Sequence, residues 1–298
     1  MEVDCEGCAG CCLDWRSLTD ANIEHERGGR RPPIDDAYNL VALTRDEIRG
    51  LLDAGLADVM TPRLWTDDDG VEIDGITLAS IGDRPVFFVG LRKPPKPVAP
   101  FDLDHPVWLP TCAFLDPETL QCRIHDTDLY PAECADYPGH QLKLEQETEC
   151  ERVEREWGGK RLLDDEPPAN LKGLLLGPQA LGQKLFVHPE PDRLPGMIER
   201  IRDGTLTDAD RAEFVGVAAA AAPGTTSIEE RRYEQVRDRA EAADSWVGRA
   251  IDDWEERSGE VGSTVRVPEN SDCDTDREQS LGQRVEVARG APETPGWE

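Results

Sequence analysis

Four cysteines fall within the first twelve residues, Cys5, Cys8, Cys11 and Cys12, in the order Cys-x-x-Cys-x-x-Cys-Cys. Three more, Cys112, Cys122 and Cys134, lie far downstream, with Cys150 close behind. Thiolates at this density point to metal, because a soft-metal site needs several deprotonated sulfurs held in a fixed geometry. A Cys-x-x-Cys turn brings two sulfurs to one ion. Cys-x-x-Cys-x-x-Cys can fill three corners of a cubane iron–sulfur cluster, with the fourth thiolate supplied from elsewhere, here Cys122, Cys134 or Cys112. Successive side chains diverge, so Cys11 and Cys12 are expected to face two centres, or two metals of one cluster. All cysteines but Cys273 match two four-thiolate sites by count. The spacing points to zinc, iron or an iron–sulfur cluster without choosing among them. A reversibly oxidised thiol cluster is the competing chemistry.

The order and setting of these cysteines carry a resemblance. The opening motif is followed by Cys112-x-Phe114-Leu115, Cys122-x-Ile124, Pro131 three residues before Cys134, and Tyr137-Pro138. This resembles the YkgJ-type cysteine-cluster family, described as a zinc- or iron-chelating domain, over roughly residues 1–150. The resemblance implies that Cys5, Cys8, Cys11, Cys12, Cys112, Cys122 and Cys134 are metal ligands, and Cys150 follows as an eighth. The chain departs from the family in three places. Ile124-His125 stands where the family has Ile-Tyr, Tyr130-Pro131 where it has Arg-Pro, and Cys134-Ala135 where it has Cys-Arg. Positive charge beside the cluster is therefore missing twice. The same domain is similar to the cysteine-rich part of flagellin lysine N-methylases, which gives the alternative, enzymatic reading with the cluster structural or catalytic. No Gly-rich nucleotide loop follows a strand to hold a methyl donor, and the radical-type spacing Cys-x-x-x-Cys-x-x-Cys is absent. His125, between Cys122 and Cys134, could replace a thiolate, but a packing or ligand-orienting role suits its aromatic position better. His140 reads the same way. His25, His105 and His188 show no partner pattern.

Composition excludes several functions. The chain has 298 residues and a net charge of −29, with 62 acids against 33 bases, only six of them lysine. An acidic, lysine-poor surface of this kind suits high salt, where carboxylates hold water and ions and salt screens their repulsion. Non-specific contact with nucleic acid or an anionic membrane is disfavoured. No apolar run reaches the ~20 residues of a membrane helix, and no basic-then-apolar leader opens the chain. A cytoplasmic location is expected. Its reducing conditions favour metal ligation over disulfides. The metal ion is the only partner the sequence names.

The elements that must position the cysteines are legible in part. Thr44 with Glu47 forms a capping box for a helix over about 45–55 that carries Ile48, Leu51 and Leu52. Asp74-Gly75 between alternating apolar residues marks a hairpin, and Val86-Phe87-Phe88-Val89 a buried strand. Residues 93–110 are Pro-rich and are expected to be an extended connection, and 111–150 to have little regular structure. Pro178 is expected to start a helix through Leu185 and Phe186, and Met197–Ile201 to form a short one. Thr207 is expected to cap a helix ending at Pro223-Gly224. Ser227 with Glu230 is expected to open the longest helix, with an apolar stripe from Tyr233 to Trp254. The expected fold class is α+β. A metal-stapled cysteine-rich domain with a β hairpin and short helices (1–157) precedes a helical region (160–258) and a disordered acidic tail (259–298) that contains Cys273.

Overall fold

The computed structural model describes residues 1–20, 31–261 and 281–295. The molecule mixes helices with small antiparallel sheets, so the α+β class holds.

The chain opens with a short strand, β1 (Glu2–Val3), before the first cysteines. Helix α1 (Arg45–Asp53) begins as the sequence expects. The Thr44 hydroxyl accepts from the Glu47 N–H at 3.3 Å, and the Glu47 carboxylate accepts from the Thr44 N–H at 2.7 Å. It buries Ile48, Leu51 and Leu52. Strand β2 (Met60–Leu64) follows, then the hairpin of β3 (Thr66–Ile73) and β4 (Ile76–Leu78). That hairpin turns at Asp74 and Gly75, both at positive φ, with Ile73 facing Ile76. Strand β5 (Val86–Leu91) is the buried apolar run, and it pairs along its length with β2.

Residues 93–110 are more ordered than a proline-rich connection. Strand β6 (Pro95–Val98) pairs antiparallel with β7 (Val107–Pro110), Pro95 opposite Pro110 and Val98 opposite Val107. A two-stranded ribbon has two free edges, so its prolines sacrifice no inner ladder bond. The strand pattern was hidden because Lys96 is an inward-facing position. Residues 111–150 also hold helices: α2 (Ala132–Ala135) after Pro131, α3 (Gly139–Lys143) after Pro138, and the start of α4 (Glu149–Trp157). Thr148 and Glu151 form a second capping box at α4. Strand β8 (Leu162–Asp164) then returns to pair with β1.

The helix expected from Pro178 does not form. A single turn at Gly177–Gln179 is followed by Gly182 at positive φ, and β9 (Phe186–Val187) adds to the free side of β5, completing a three-stranded sheet. A Cβ on Gly182 would stand 2.3 Å from the Ala222 carbonyl, so chain crossing fixes the turn there. Helix α5 (Met197–Arg202) is as expected, and α6 (Asp208–Ala220) starts at a capping box of Thr207 and Asp210.

Most of α6 is buried, and its glycine and alanines let α7 (Glu230–Glu241) pack close against it. The long final helix expected from Ser227 is instead two. Glu229 is the cap of α7, with no side-chain hydrogen bond, and α8 (Trp246–Val261) starts afresh. Ser245 makes the break: its hydroxyl accepts from the Gly248 N–H at 3.0 Å and donates to Asp58 at 2.7 Å. The apolar stripe survives the break, with Tyr233, Val247, Ile251 and Trp254 all buried. Helix α9 (Leu281–Ala288) then docks on the β6–β7 ribbon and α8. The expectation of a featureless tail from 259 therefore fails for the end of α8 and for 281–295. Cys273, His25 and the rest of that tail lie outside the described residues.

One hydrophobic cluster runs from Cys8 to Ile251 and includes Leu13, Trp15, Phe87, Phe114 and Phe214. Beside Phe87 and Phe214 of this cluster, His188, which shows no partner in the sequence, sits 3.1 Å from Glu213, and the Tyr233 hydroxyl donates to Glu213 at 2.6 Å. No helix among the described residues is long and apolar enough to cross a membrane.

Candidate metal centre

The N-terminal motif is a pair of tight turns. Cys8 N–H donates to the Cys5 carbonyl at 3.1 Å and Cys12 N–H to the Ala9 carbonyl at 2.8 Å. Gly7 and Ala9 take positive φ to allow this. Inside the second turn Gly10 lies against α4: a Cβ there would meet Val153 Cγ2 at 2.7 Å. Beyond the motif the chain runs beside residues 110–112. Leu13 bridges Thr111, the Asp14 N–H donates to the Pro110 carbonyl, and the Cys112 N–H donates to the Cys12 carbonyl. Cys112 and Cys122 sit on a closed turn in which Leu115 pairs with Cys122 and the Arg123 N–H donates to the Phe114 carbonyl. Cys134 comes from α2 and Cys150 from the first turn of α4.

Helix α4 is fixed by Glu149, whose side chain is only 2% exposed. Its carboxylate accepts from the Trp15 indole at 2.6 Å, the Tyr38 hydroxyl at 2.9 Å and Arg152 at 3.0 Å. Its N–H donates to the Tyr137 hydroxyl at 2.8 Å. The residue before Cys150 thus ties α4 both to the N-terminal segment and to the α2–α3 region. Nothing in the sequence analysis singles out this anchor, because its partners Trp15, Tyr38 and Tyr137 come from distant chain.

All eight cysteines named from the sequence, Cys5, Cys8, Cys11, Cys12, Cys112, Cys122, Cys134 and Cys150, line one cavity of about 670 Å³. All are free thiols; Cys8 and Cys112 are buried and the rest half-buried. Among the described residues no group of three or more Cys, His, Asp or Glu side chains stands ready-made around one ion. The cysteines share a wall without closing on a point.

One expectation needs correction. The side chains of Cys11 and Cys12 do not diverge: their sulfurs stand 3.8 Å apart. Two thiolates on one tetrahedral zinc, each at ~2.3 Å, are ~3.8 Å apart. The pair therefore fits a single ion as well as two. The chain folds back at Ala9, and the following residue, Leu13, is drawn into the pairing with Thr111.

The thiols repel one another's charge. Burial and the neighbouring Cys8 and Cys12 push Cys5 up to about 11. Burial, then Cys5 and Cys8, push Cys150 up to about 12. Cys134 is held well above the ordinary range by burial and by Cys12, Cys112 and Cys122. Burial and Cys112 raise Cys122, and burial and Cys12 raise Cys112. Cys11 is raised by sharing its proton with Cys12 and by burial. Cys12 alone is lowered, to about 7, by the hydrogen bond from Cys11 and the charge of Lys93. Two overlapping sets emerge: Cys5 and Cys8 with Cys150, and Cys12 with Cys112, Cys122 and Cys134. Cys11 feels both sets, through Cys5 on one side and Cys12 and Cys134 on the other.

Positive charge absent from the local sequence arrives from elsewhere. Lys93 donates to the Cys11 carbonyl at 3.3 Å, and its charge favours the thiolates of Cys12 and Cys112. Arg161, brought alongside by the β1–β8 pairing, lowers Cys8 and Cys5 against the larger effect of burial. Only the folded pairing reveals these cations. His125 lines the cavity with its ring against Tyr130 at 4.9 Å and its Nδ1 3.1 Å from Asp126. His140 lines the adjoining groove instead, and burial lowers its pKa.

No curated protein and no solved structure matches the chain. A family model, described as a family of unknown function (DUF7531), matches residues 1–298, and the chain belongs to that family.

Proposed function

We propose that the protein is a cysteine-ligated metal-binding protein. Cys5, Cys8, Cys11, Cys12, Cys112, Cys122, Cys134 and Cys150 hold zinc or iron, as ions or as an iron–sulfur cluster. The observation that carries this is the convergence of all eight residues on one cavity wall from five separate stretches of chain. The 3.8 Å separation of the Cys11 and Cys12 sulfurs supports it. So does the cysteine order, which resembles the YkgJ-type clusters. Buried thiols that raise one another's pKa stay protonated together, and a metal cation that displaces their protons supplies the charge that lets them ionise side by side.

Bound metal staples the cysteine-rich half. Structural zinc supplies roughly 10–16 kcal/mol of apparent free energy in small domains. An iron–sulfur cluster in the same place adds one-electron chemistry, making the protein a redox module. The chain's own residues set the ligands: Glu149 orients α4 and Cys150, the Cys12–Cys112 backbone bond aligns the two cysteine groups, and Lys93 and Arg161 offset anionic charge.

Thiol alkylation followed by mass spectrometry tests the assignment. In protein reconstituted with zinc or iron the eight cavity cysteines are protected and Cys273 is labelled; after chelation all nine react. Equal labelling with and without metal overturns the proposal.

A further inference from the structure

We infer that residues 281–295 form a clamp on the turn that carries Cys112 and Cys122, so that clamp docking and metal loading strengthen each other. This rests on the metal-binding reading above.

The turn is held by charged groups that do not line the cavity and that all meet the C-terminal segment. Glu286 of α9 is 1% exposed and lies 2.6 Å from Lys96 Nζ and 2.8 Å from Arg123 Nη2. Lys96, also 1% exposed, spends its other two hydrogen bonds on the carbonyls of Ala113 and Leu115, each at 2.9 Å, just past Cys112. Arg123 follows Cys122 in the chain and pairs with Asp116 at 3.0 Å. Its Nη1 donates to the Pro292 carbonyl at 2.7 Å and to the Thr294 hydroxyl at 2.9 Å. Asp116 accepts from the Glu118 N–H at 2.9 Å and from the Thr294 hydroxyl, closing the turn from within. Gly282 permits the approach, because a Cβ there would stand 2.5 Å from Pro117 Cγ.

Two buried cations thus face two buried carboxylates, and one carboxylate belongs to the clamp. Removing Glu286 leaves excess positive charge inside the protein, an arrangement that strongly destabilises what surrounds it. What surrounds it is the turn that sets the spacing of Cys112 and Cys122. Metal restrains that turn from the cavity, and the clamp restrains it through residues that do not line the cavity. Two restraints on one element are coupled, and the coupling is reciprocal. Glu286, Lys96 and Arg123 are positioning residues: none lines the cysteine cavity.

The test uses the full-length chain with zinc as probe, read by competition with a chelating dye and by hydrogen exchange of α9. Glu286→Gln weakens zinc binding about tenfold, within the usual range of coupled sites, and zinc loading of the native chain slows exchange in α9. Asp210→Asn, which breaks the remote ion pair with Arg200, lowers stability and leaves zinc affinity unchanged, separating positioning from general destabilisation. Should Glu286→Gln fail to fold, the pair Lys96→Met and Glu286→Leu removes both charges together, and zinc must still slow α9 exchange in it. Zinc affinity within twofold of native in Glu286→Gln, or α9 exchange indifferent to zinc, overturns the clamp while leaving the metal site standing. A native chain that takes up neither zinc nor iron overturns both.

Discussion

The backbone N–H of Cys112 donates to the carbonyl oxygen of Cys12 at 2.7 Å. That bond joins the two cysteine groups directly, without any side chain. A chain terminus normally frays; here Leu13, Asp14 and Trp15 are buried immediately behind the motif, and the motif itself is held against residues 110–112 and α4. The scaffold therefore brings the eight cysteines to one wall; on the proposed reading, metal then closes the site.

Single ligand replacements separate the cavity from the rest of the chain. Cys12→Ser and Cys134→Ser weaken metal retention by more than ~100-fold, beyond the ~10–100-fold cost of losing an outer-shell partner. Cys273→Ser retains native metal content. Metal analysis after dialysis against a chelator checks both, and equal losses from all three would contradict the ligand assignment.

Glu149→Ala removes the acceptor shared by Trp15, Tyr38 and Arg152 inside the protein. A cost of about 3–5 kcal/mol is expected, as for breaking a buried charged pair. Denaturant unfolding of the metal-free protein measures it. A cost below about 1 kcal/mol, the net worth of an ordinary hydrogen bond, would show that α4 is anchored some other way.

Gly10→Ala places a methyl group 2.7 Å from Val153 Cγ2. Overpacking of this kind costs about 1–3 kcal/mol. Combining it with Val153→Ala should recover part of the loss, so a double-mutant cycle on stability shows a coupling. Strict additivity would mean that the motif does not rest on α4.

The metal-free protein should weaken in alkali. Cys5 titrates at 9.0 ordinarily and at about 11 in the fold, where burial and the charges of Cys8 and Cys12 hold its proton. Between those values the folded chain binds more protons than the unfolded one, so stability falls as pH rises. The contribution is complete below 9.0 and lost as pH passes about 11. Urea midpoints of native and Cys5→Ser protein across that window give a shallower slope for the variant. Metal-loaded protein, its thiolates already ionised, lacks this component. A slope unchanged by Cys5→Ser would contradict the stated origin.

Local rules made much of this legible. The Thr44–Glu47 box, the Thr207 cap, the Asp74-Gly75 turn and the Val86–Val89 run each depend on neighbours in sequence, and each forms as expected. The eight cysteines that line the cavity are those the sequence singles out, by their density at the start of the chain and by the resemblance for those downstream. What escaped notice depends on distant chain. Ser245 breaks the last long helix because Asp58 takes its hydroxyl. The β6–β7 ribbon is not legible because Lys96 turns inward to meet Glu286, a residue from a segment expected to have no structure. Arg161 reaches the thiols through the β1–β8 pairing and Lys93 through its bond to the Cys11 carbonyl, so neither charge is legible beside the cysteines in the sequence.

Metal and acid-labile sulfide content, with an optical spectrum, on protein purified anaerobically in high salt tests the central claim most directly. The account predicts bound metal lost on chelation: brown protein with iron and sulfide for a cluster, or colourless protein with zinc for a structural site. Protein that folds fully, carries neither metal and takes up neither on reconstitution would contradict it and return the eight cysteines to thiol redox chemistry.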